Sequence, residues 1–233
     1  MIELFAQLKI HERTGKEDCV ERNGICPRWI VDNFDRYTHP FVQQLELVLL
    51  AVAIGFAIAF GLALLGHRHR SFIAPITQIT GILYTLPSVA VFFLLLPITG
   101  RGTGTALIAL VAYTLLIIFR NVITGLEGVP EEARDAGSGM GLTARQLLWR
   151  VELPLALPEI MAGLRIAVTT TVGLASLVFL AGAGGLGETI FSDRFFRSNV
   201  LVAGGLCVLM AVILDLAVLA VQKLLTPWTR ATA

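Results

Sequence analysis

The sequence predicts an all-α chain that crosses a membrane several times, and three observations predict it. Of its 233 residues, 55% are hydrophobic and only 15% are charged. A soluble domain carries about 25% charged residues, so this chain cannot cover a water-facing surface of ordinary composition. The mean hydropathy is +0.77, and the apolar residues lie in long runs instead of short alternating ones. The same figures exclude a nucleic-acid binder: a formal net charge of +1 provides no basic field, and only 8% of residues are aromatic.

Residues 1–39 differ from the rest. They carry mixed charge, no long apolar run, and both Cys19 and Cys26. The first apolar stretch is broken by Glu3, Gln7 and Lys9, so no signal peptide is expected there. From residue 40 onward the composition is that of a membrane domain, 40–233. Residues 41–66 form the first run, with Gln43, Gln44 and Glu46 at its start. About 20 apolar residues at 1.5 Å each cross a bilayer, so this run spans with some tilt. His67-Arg68-His69-Arg70 stops it. Residues 72–98 are a second run, and Pro75, Pro87 and Pro97 leave open whether it is one span, a broken one or a re-entrant pair. Residues 105–119 make a short third run, 155–183 contain a fourth, and 200–221 are the fifth.

Five spans put the termini on opposite sides, and the distribution of basic residues decides which is which. Arg68, Arg70, Arg120, Arg134, Arg145, Arg150, Lys223 and Arg230 fall on one side; Arg101, Arg194 and Arg197 fall on the other. The expectation is a cytoplasmic C-terminus and an extracytoplasmic N-terminal tail. A re-entrant second run would invert that parity. Outside the cytoplasm, a Cys19–Cys26 disulfide and two free thiols are both open readings. Cys207 sits inside the fifth run and is expected to pack.

The segment 129–155 is too long for a simple turn. Pro130 followed by Glu131 and Glu132 is a helix start, with proline at the first position and acids at the positive end of the dipole. The helix should run through Arg134 and Asp135 and then fail at Gly137, Gly139 and Gly141, three glycines that permit a sharp bend. Thr143 with Gln146 then reads as a capping box. A second helix should carry Leu147, Leu148, Trp149 and Val151 and end at Pro154. On pattern alone, this element is either an amphipathic pair lying on the membrane or a docking helix for a partner's groove.

The segment resembles the EAA signature of ABC importer permeases: Glu-Ala-Ala, three residues, Gly, nine residues, Ile, one residue, Leu-Pro. A register starting at Glu131 fits Gly137 but puts Trp149-Arg150 where Leu-Pro belongs. A register starting at Asp135 gives Asp135-Ala136-Gly137, Gly141, Val151 and Leu153-Pro154 with every spacing met. The stretch 153–165, Tyr84-Thr85-Leu86-Pro87-Ser88, Phe119-Arg120-Asn121 with Thr124-Gly125, and Gly182 to Gly187 are similar to the osmoprotectant (glycine betaine, choline, carnitine) permeases. The resemblance implies a five-helix, type I, methionine-permease-like core that pairs with a second permease, either a copy or a paralogue. It implies two copies of a cytoplasmic ABC ATPase, which use ATP and Mg, and an extracytoplasmic substrate-binding protein. On this reading the chain binds no cofactor and catalyses nothing; Asp135, Ala136, Gly137, Gly141, Val151, Leu153 and Pro154 couple it to the ATPase. A cargo of methionine or another amino acid would suit the same architecture.

Gly182, Gly184 and Gly187 also satisfy G-x-G-x-x-G, but the dinucleotide reading needs a strand, a helix and a later acid in a soluble unit. Here, with Gly185, they line a pathway or gate, or allow close helix packing. Pro87 between Thr85 and Ser88 is a local kink re-satisfied by neighbouring hydroxyls, or a hinge for alternating access. Glu46 and Asp215 lie in apolar runs, and a snorkelling or locally paired acid is expected. Thr169, Thr170 and Thr171 line a polar path or bond back to their helix. There is no P-loop, no nucleophile elbow and no C-x-x-C, and His11, His39, His67 and His69 have no metal-site spacing. An ATP-independent channel or carrier would want paired intramembrane acids and bases or an inverted repeat; neither is evident in the sequence.

Overall fold

The computed structural model describes residues 19–20 and 22–230; the start of the tail, with His11, lies outside them. Among the described residues there are helices and turns but no strand. A short helix α1 (Pro27–Asp32) precedes the long α2 (Asp35–Arg68). There follow α3 (Ile73–Thr85), α4 (Ser88–Thr99) and α5 (Thr103–Glu127). The loop holds α6 (Glu131–Gly139) and α7 (Ala144–Leu147), and then come α8 (Leu153–Ala175), α9 (Leu186–Ser192) and α10 (Arg197–Leu225).

By length and composition α2, α5 and α10 qualify as membrane spans, and α3 with α4 qualify together despite a 98° bend. That bent pair crosses. Arg70, before its start, shares a cleft with Glu127 at one end of α5, and Thr99 Oγ1 at its finish lies 2.6 Å from Thr105 Oγ1 at the other end. The second run is therefore one broken span that runs from one end of the bundle to the other, not a re-entrant pair. Helix α8, which does not qualify by the same measure, has 23 residues, rises about 35 Å and is packed against α2, α5 and α10. The third run is longer than its apolar stretch suggests, because the helix carries on through exposed Arg120 to Glu127. The first helix begins at Asp35, ahead of the composition change, and takes Pro40 within its early turns.

Two apolar clusters fill the bundle. Near the tail, Tyr37, Val48, Phe92, Leu110, Val172, Leu186 and Met210 pack together; near the loop, Ala59, Ala63, Ile118, Phe119, Val122 and Leu126 do. Half of α5's most apolar window is buried against 11% of α10's, so α5 is the axis and α10 a peripheral strut with a lipid-facing surface. Without a hydrophobic drive between helices in lipid, association relies on close backbone approach at small residues. Gly163 of α8 provides it: a Cβ there would lie 2.3 Å from Asn121 Cβ on α5.

Asp215 is paired, as expected. Its two oxygens accept from Arg165 Nε at 2.8 Å and Nη2 at 2.7 Å, a bidentate tie between α8 and α10. This is one intramembrane acid–base pair that the sequence did not reveal. Glu46 is exposed and has no ion pair among the described residues. Thr169 and Thr171 donate back to Arg165 O and Ala167 O of their own helix.

Cys19 and Cys26 form a disulfide. The loop they close docks on the start of α10: Cys26 N donates to Ser198 Oγ, and Asn23 Oδ1 accepts from Arg197 N. Trp29 meets Phe196 edge-on at 4.7 Å, and Arg36 pairs with Asp193 at 2.6 Å. Cys207 is half-buried in the tail-side cluster.

Overfilling the α5–α8 contact is expected to be costly. Gly163→Val should lower stability by about 2–3 kcal/mol, whereas Gly173→Ala, with nothing within 4 Å of its Cβ, should be neutral or slightly stabilising. Thermal unfolding in mild detergent separates the two.

Candidate functional site

The 129–155 segment folds as helix, bend, helix at one end of the bundle. Glu131 and Glu132 occupy the first turn of α6. Contrary to the sequence reading, the helix does not fail at Gly137 but persists to Gly139; Gly137 is buried, and a Cβ there would lie 2.6 Å from Leu147 Cδ1, so the glycine lets α6 and α7 touch. Gly141 makes the bend, with φ +78°, and nothing lies within 4 Å of a Cβ there. Its requirement is backbone conformation, not space. The capping box is present: Thr143 Oγ1 accepts from Gln146 N, and Gln146 Oε1 accepts from Thr143 N at 2.9 Å.

Pro154 does not end the second helix, contrary to the sequence reading. The backbone passes from α7 through a π-helical turn, Leu148–Glu152, and straight into α8, with Pro154 in the first turn of that helix. The wider turn changes the hydrogen-bond register just before the ring, so the missing N–H falls where a helix start can lack it. Leu153 is buried in the loop-side cluster, and Val151 lies within reach of Gly137.

The same π-turn turns Glu152 inward. The residue is 5% exposed, and both of its oxygens are engaged. Oε2 lies 2.9 Å from His67 Nε2 at the end of α2, and Oε1 lies 2.9 Å from Arg134 Nε on α6. The latter is an ion contact whose N–H is not aligned for a hydrogen bond. Arg134 Nη2 donates to Leu126 O at the end of α5. Three spans and the first loop helix therefore meet at one carboxylate. Neither His67 nor Glu152 stood out in the sequence, because nothing in spacing links residues 85 positions apart.

On the face away from the bundle, Asp135 and Ala136 are exposed, and so are Met140 (74%) and Trp149 (54%). Two large apolar side chains are thus left open on this helix–bend–helix element.

At the opposite end, the glycines after α8 form a tight loop. Gly182, Gly184 and Gly185 have φ of +79°, +76° and +85°. Gly187 abuts Ser176, where a Cβ would fall 1.7 Å from the carbonyl oxygen. Gln43 and Gln44 of α2 hold the loop, accepting from Gly185 N at 3.1 Å and Leu186 N at 3.0 Å. These two glutamines mark the one polar entry in the first apolar run, a signal that the sequence offered without a partner. Mid-bundle, the break between α3 and α4 leaves Thr85 and Pro87 exposed and Ser88 half-buried. Leu86 O is satisfied by Tyr113 Oη at 2.6 Å instead of by a neighbouring hydroxyl, while Thr85 Oγ1 bonds Ile82 O.

Residues 51–231 match the family described as "Binding-protein-dependent transport system inner membrane component". This chain belongs to that family. Among similar permeases, the osmoprotectant import permease protein OsmW of Salmonella typhimurium is 36% identical over 206 residues, covering 85% of this chain and 96% of the relative. The choline transport system permease protein OpuBB of Bacillus subtilis is 34% identical, covering 79% and 86%. The fold matches that of a solved chain of the MetNI methionine ABC transporter, in inward-facing conformations, with TM-score 0.66 at 23% identity over 84% of this chain and 95% of that one. Membership accounts for the apolar five-helix core.

In this permease, neutralising Glu152 alone leaves the Arg134 guanidinium without its counter-charge in a largely buried position. Glu152→Gln should therefore cost about 3 kcal/mol or more, and the double change Glu152→Gln with Arg134→Gln less than the sum of the two single ones. A double-mutant cycle on thermal stability reads the coupling.

Proposed function

We propose that this chain is the membrane subunit of an ATP-driven importer for a quaternary-amine osmoprotectant of the glycine betaine, choline and carnitine class. The observation that carries the transport reading is the exposed loop element, with Asp135, Ala136, Met140 and Trp149 outward and its inner face tied to three spans through Arg134 and Glu152. The cargo reading is supported by relatives named for osmoprotectant, choline, and glycine betaine/carnitine/choline transport at 33–36% identity. Methionine, named for a solved neighbour at 23% identity, is the weaker cargo reading.

In this reading the loop 129–155 and the C-terminus face the cytoplasm, and the disulfide-closed tail faces the other side. Two copies of an ATPase dock on the loops of two permeases, this one and a copy or paralogue, and bind the ATP and Mg. A separate binding protein delivers cargo at the tail end. ATP-driven closure pushes α6, and the Gly141 bend with Val151, Leu153 and Pro154 passes the motion into α8. The break at Thr85, Pro87 and Ser88 and the loop of Gly182, Gly184, Gly185 and Gly187 are the moving or lining parts of the path, since irregular backbone at membrane depth must face protein or a water-filled cavity.

Purification in mild detergent should recover a P-loop ATPase with this chain. The reconstituted complex should take up glycine betaine in preference to methionine; the reverse preference overturns the cargo reading. Gly141→Asn, which tolerates a left-handed backbone, should keep uptake within about twofold, and Gly141→Val should lower it about tenfold without preventing membrane insertion. Equal uptake by the two variants removes the bend from the mechanism.

A further inference from the structure

We infer that the break in the second span is a low-affinity binding site for a quaternary ammonium cation, built from the carbonyl end of α3 and the ring of Tyr84. The inference rests on the cargo reading above and names where the permease itself holds that cargo. The break lies near the middle of the bundle: Leu86 O is bonded to Tyr113, the eleventh residue of α5, which has 25. Leu86 takes an extended conformation with ψ 136° and Pro87 follows with no N–H, so α3 ends without a backbone cap. Thr85 Oγ1 accounts for Ile82 O. The carbonyls of Leu83, Tyr84 and Thr85 accept no hydrogen bond among the described residues. They form the negative end of a helix dipole at membrane depth.

Lipid cannot satisfy such groups, so the open side of the break faces either a second subunit or water. That side carries Tyr84, 39% exposed, whose ring meets Tyr113 edge-on at 6.0 Å. Tyr113 is fixed by burial and by its bond to Leu86 O, and it in turn fixes Tyr84. No Asp, Glu, Lys or Arg lies between Arg70 and Arg101, so the broken span itself offers carbonyl dipoles and an aromatic ring without a formal charge. That combination suits a methylated ammonium, which has no N–H to donate and is held by ring faces and partial negative charge. It also suits passage, because a site on a transport path must release what it binds. A neutral molecule of the same shape keeps the apolar contact with the ring but loses the cation–π and charge–dipole attraction.

The test uses the permease–ATPase complex in nanodiscs without its binding protein. A thiol introduced by Val89→Cys, at an exposed position beside the break, in a Cys207→Ala background reports on occupancy through its rate of maleimide labelling. Choline at millimolar concentration should slow labelling at least about threefold, while its neutral isostere 3,3-dimethylbutan-1-ol should not. Tyr84→Phe should retain the protection, and Tyr84→Leu should weaken it about tenfold. Equal protection by choline and the isostere, or protection that survives Tyr84→Leu, overturns the site. Uptake of glycine betaine by the same complex with its binding protein, combined with no protection by choline, overturns the site alone. Absence of uptake of any quaternary amine by the unmodified complex overturns the cargo reading beneath it.

Discussion

Glu152 is the point on which the loop end of this molecule depends. A carboxylate that is 5% exposed needs a partner on each oxygen, and the fold delivers them from two directions, the His67 ring of the first span and the Arg134 guanidinium of the first loop helix. The requirement runs both ways. A buried charge that loses a partner is far more costly than a pair that was never made, so α2, α5, α6 and α8 are held in a fixed relation by electrostatic necessity where apolar packing alone would let them slide.

Elsewhere the bundle is held by the opposite device, the removal of side chains. Where Gly163 lies against Asn121, the contact is backbone against side chain with no room for one added carbon. The tail-side glycine loop uses the same economy, with Gln43 and Gln44 supplying the hydrogen bonds that a side-chain-free loop cannot make for itself. The structure thus alternates rigid, overdetermined contacts at its two ends with a weakly held break at Leu86 in its middle. Rocking motions concentrate where the constraints are fewest.

Much of this was legible in the sequence. Runs of apolar residues located the long helices, and the capping box at Thr143 and Gln146 appeared as written. What the sequence concealed were the pairings. Arg165 and Asp215 are 50 positions apart, and His67 and Glu152 are 85; each residue reads alone as an isolated charge in or near an apolar run. The π-turn was hidden for a different reason. Pro154 signals a helix end by local rules, and only the tertiary demand to bury Glu152 explains why the helix instead widens by a residue and continues. The second span misled in degree: three prolines announced an irregularity but not a 98° turn.

The docking of the tail on the start of the last span has a consequence for biogenesis. Asn23 and Cys26 bond to Arg197 and Ser198 across 172 to 174 residues of chain. A ribosome adds roughly 5–20 residues per second, so the tail waits on the order of ten seconds or more before its seat exists. Its small apolar surface, with Trp29 awaiting Phe196, is covered only when the fifth crossing has been threaded in the right direction. The closed tail is thus a mark of completed topology: a chain that stops early, or threads one span backwards, leaves it open to proteases and to the machinery that removes unfinished membrane proteins.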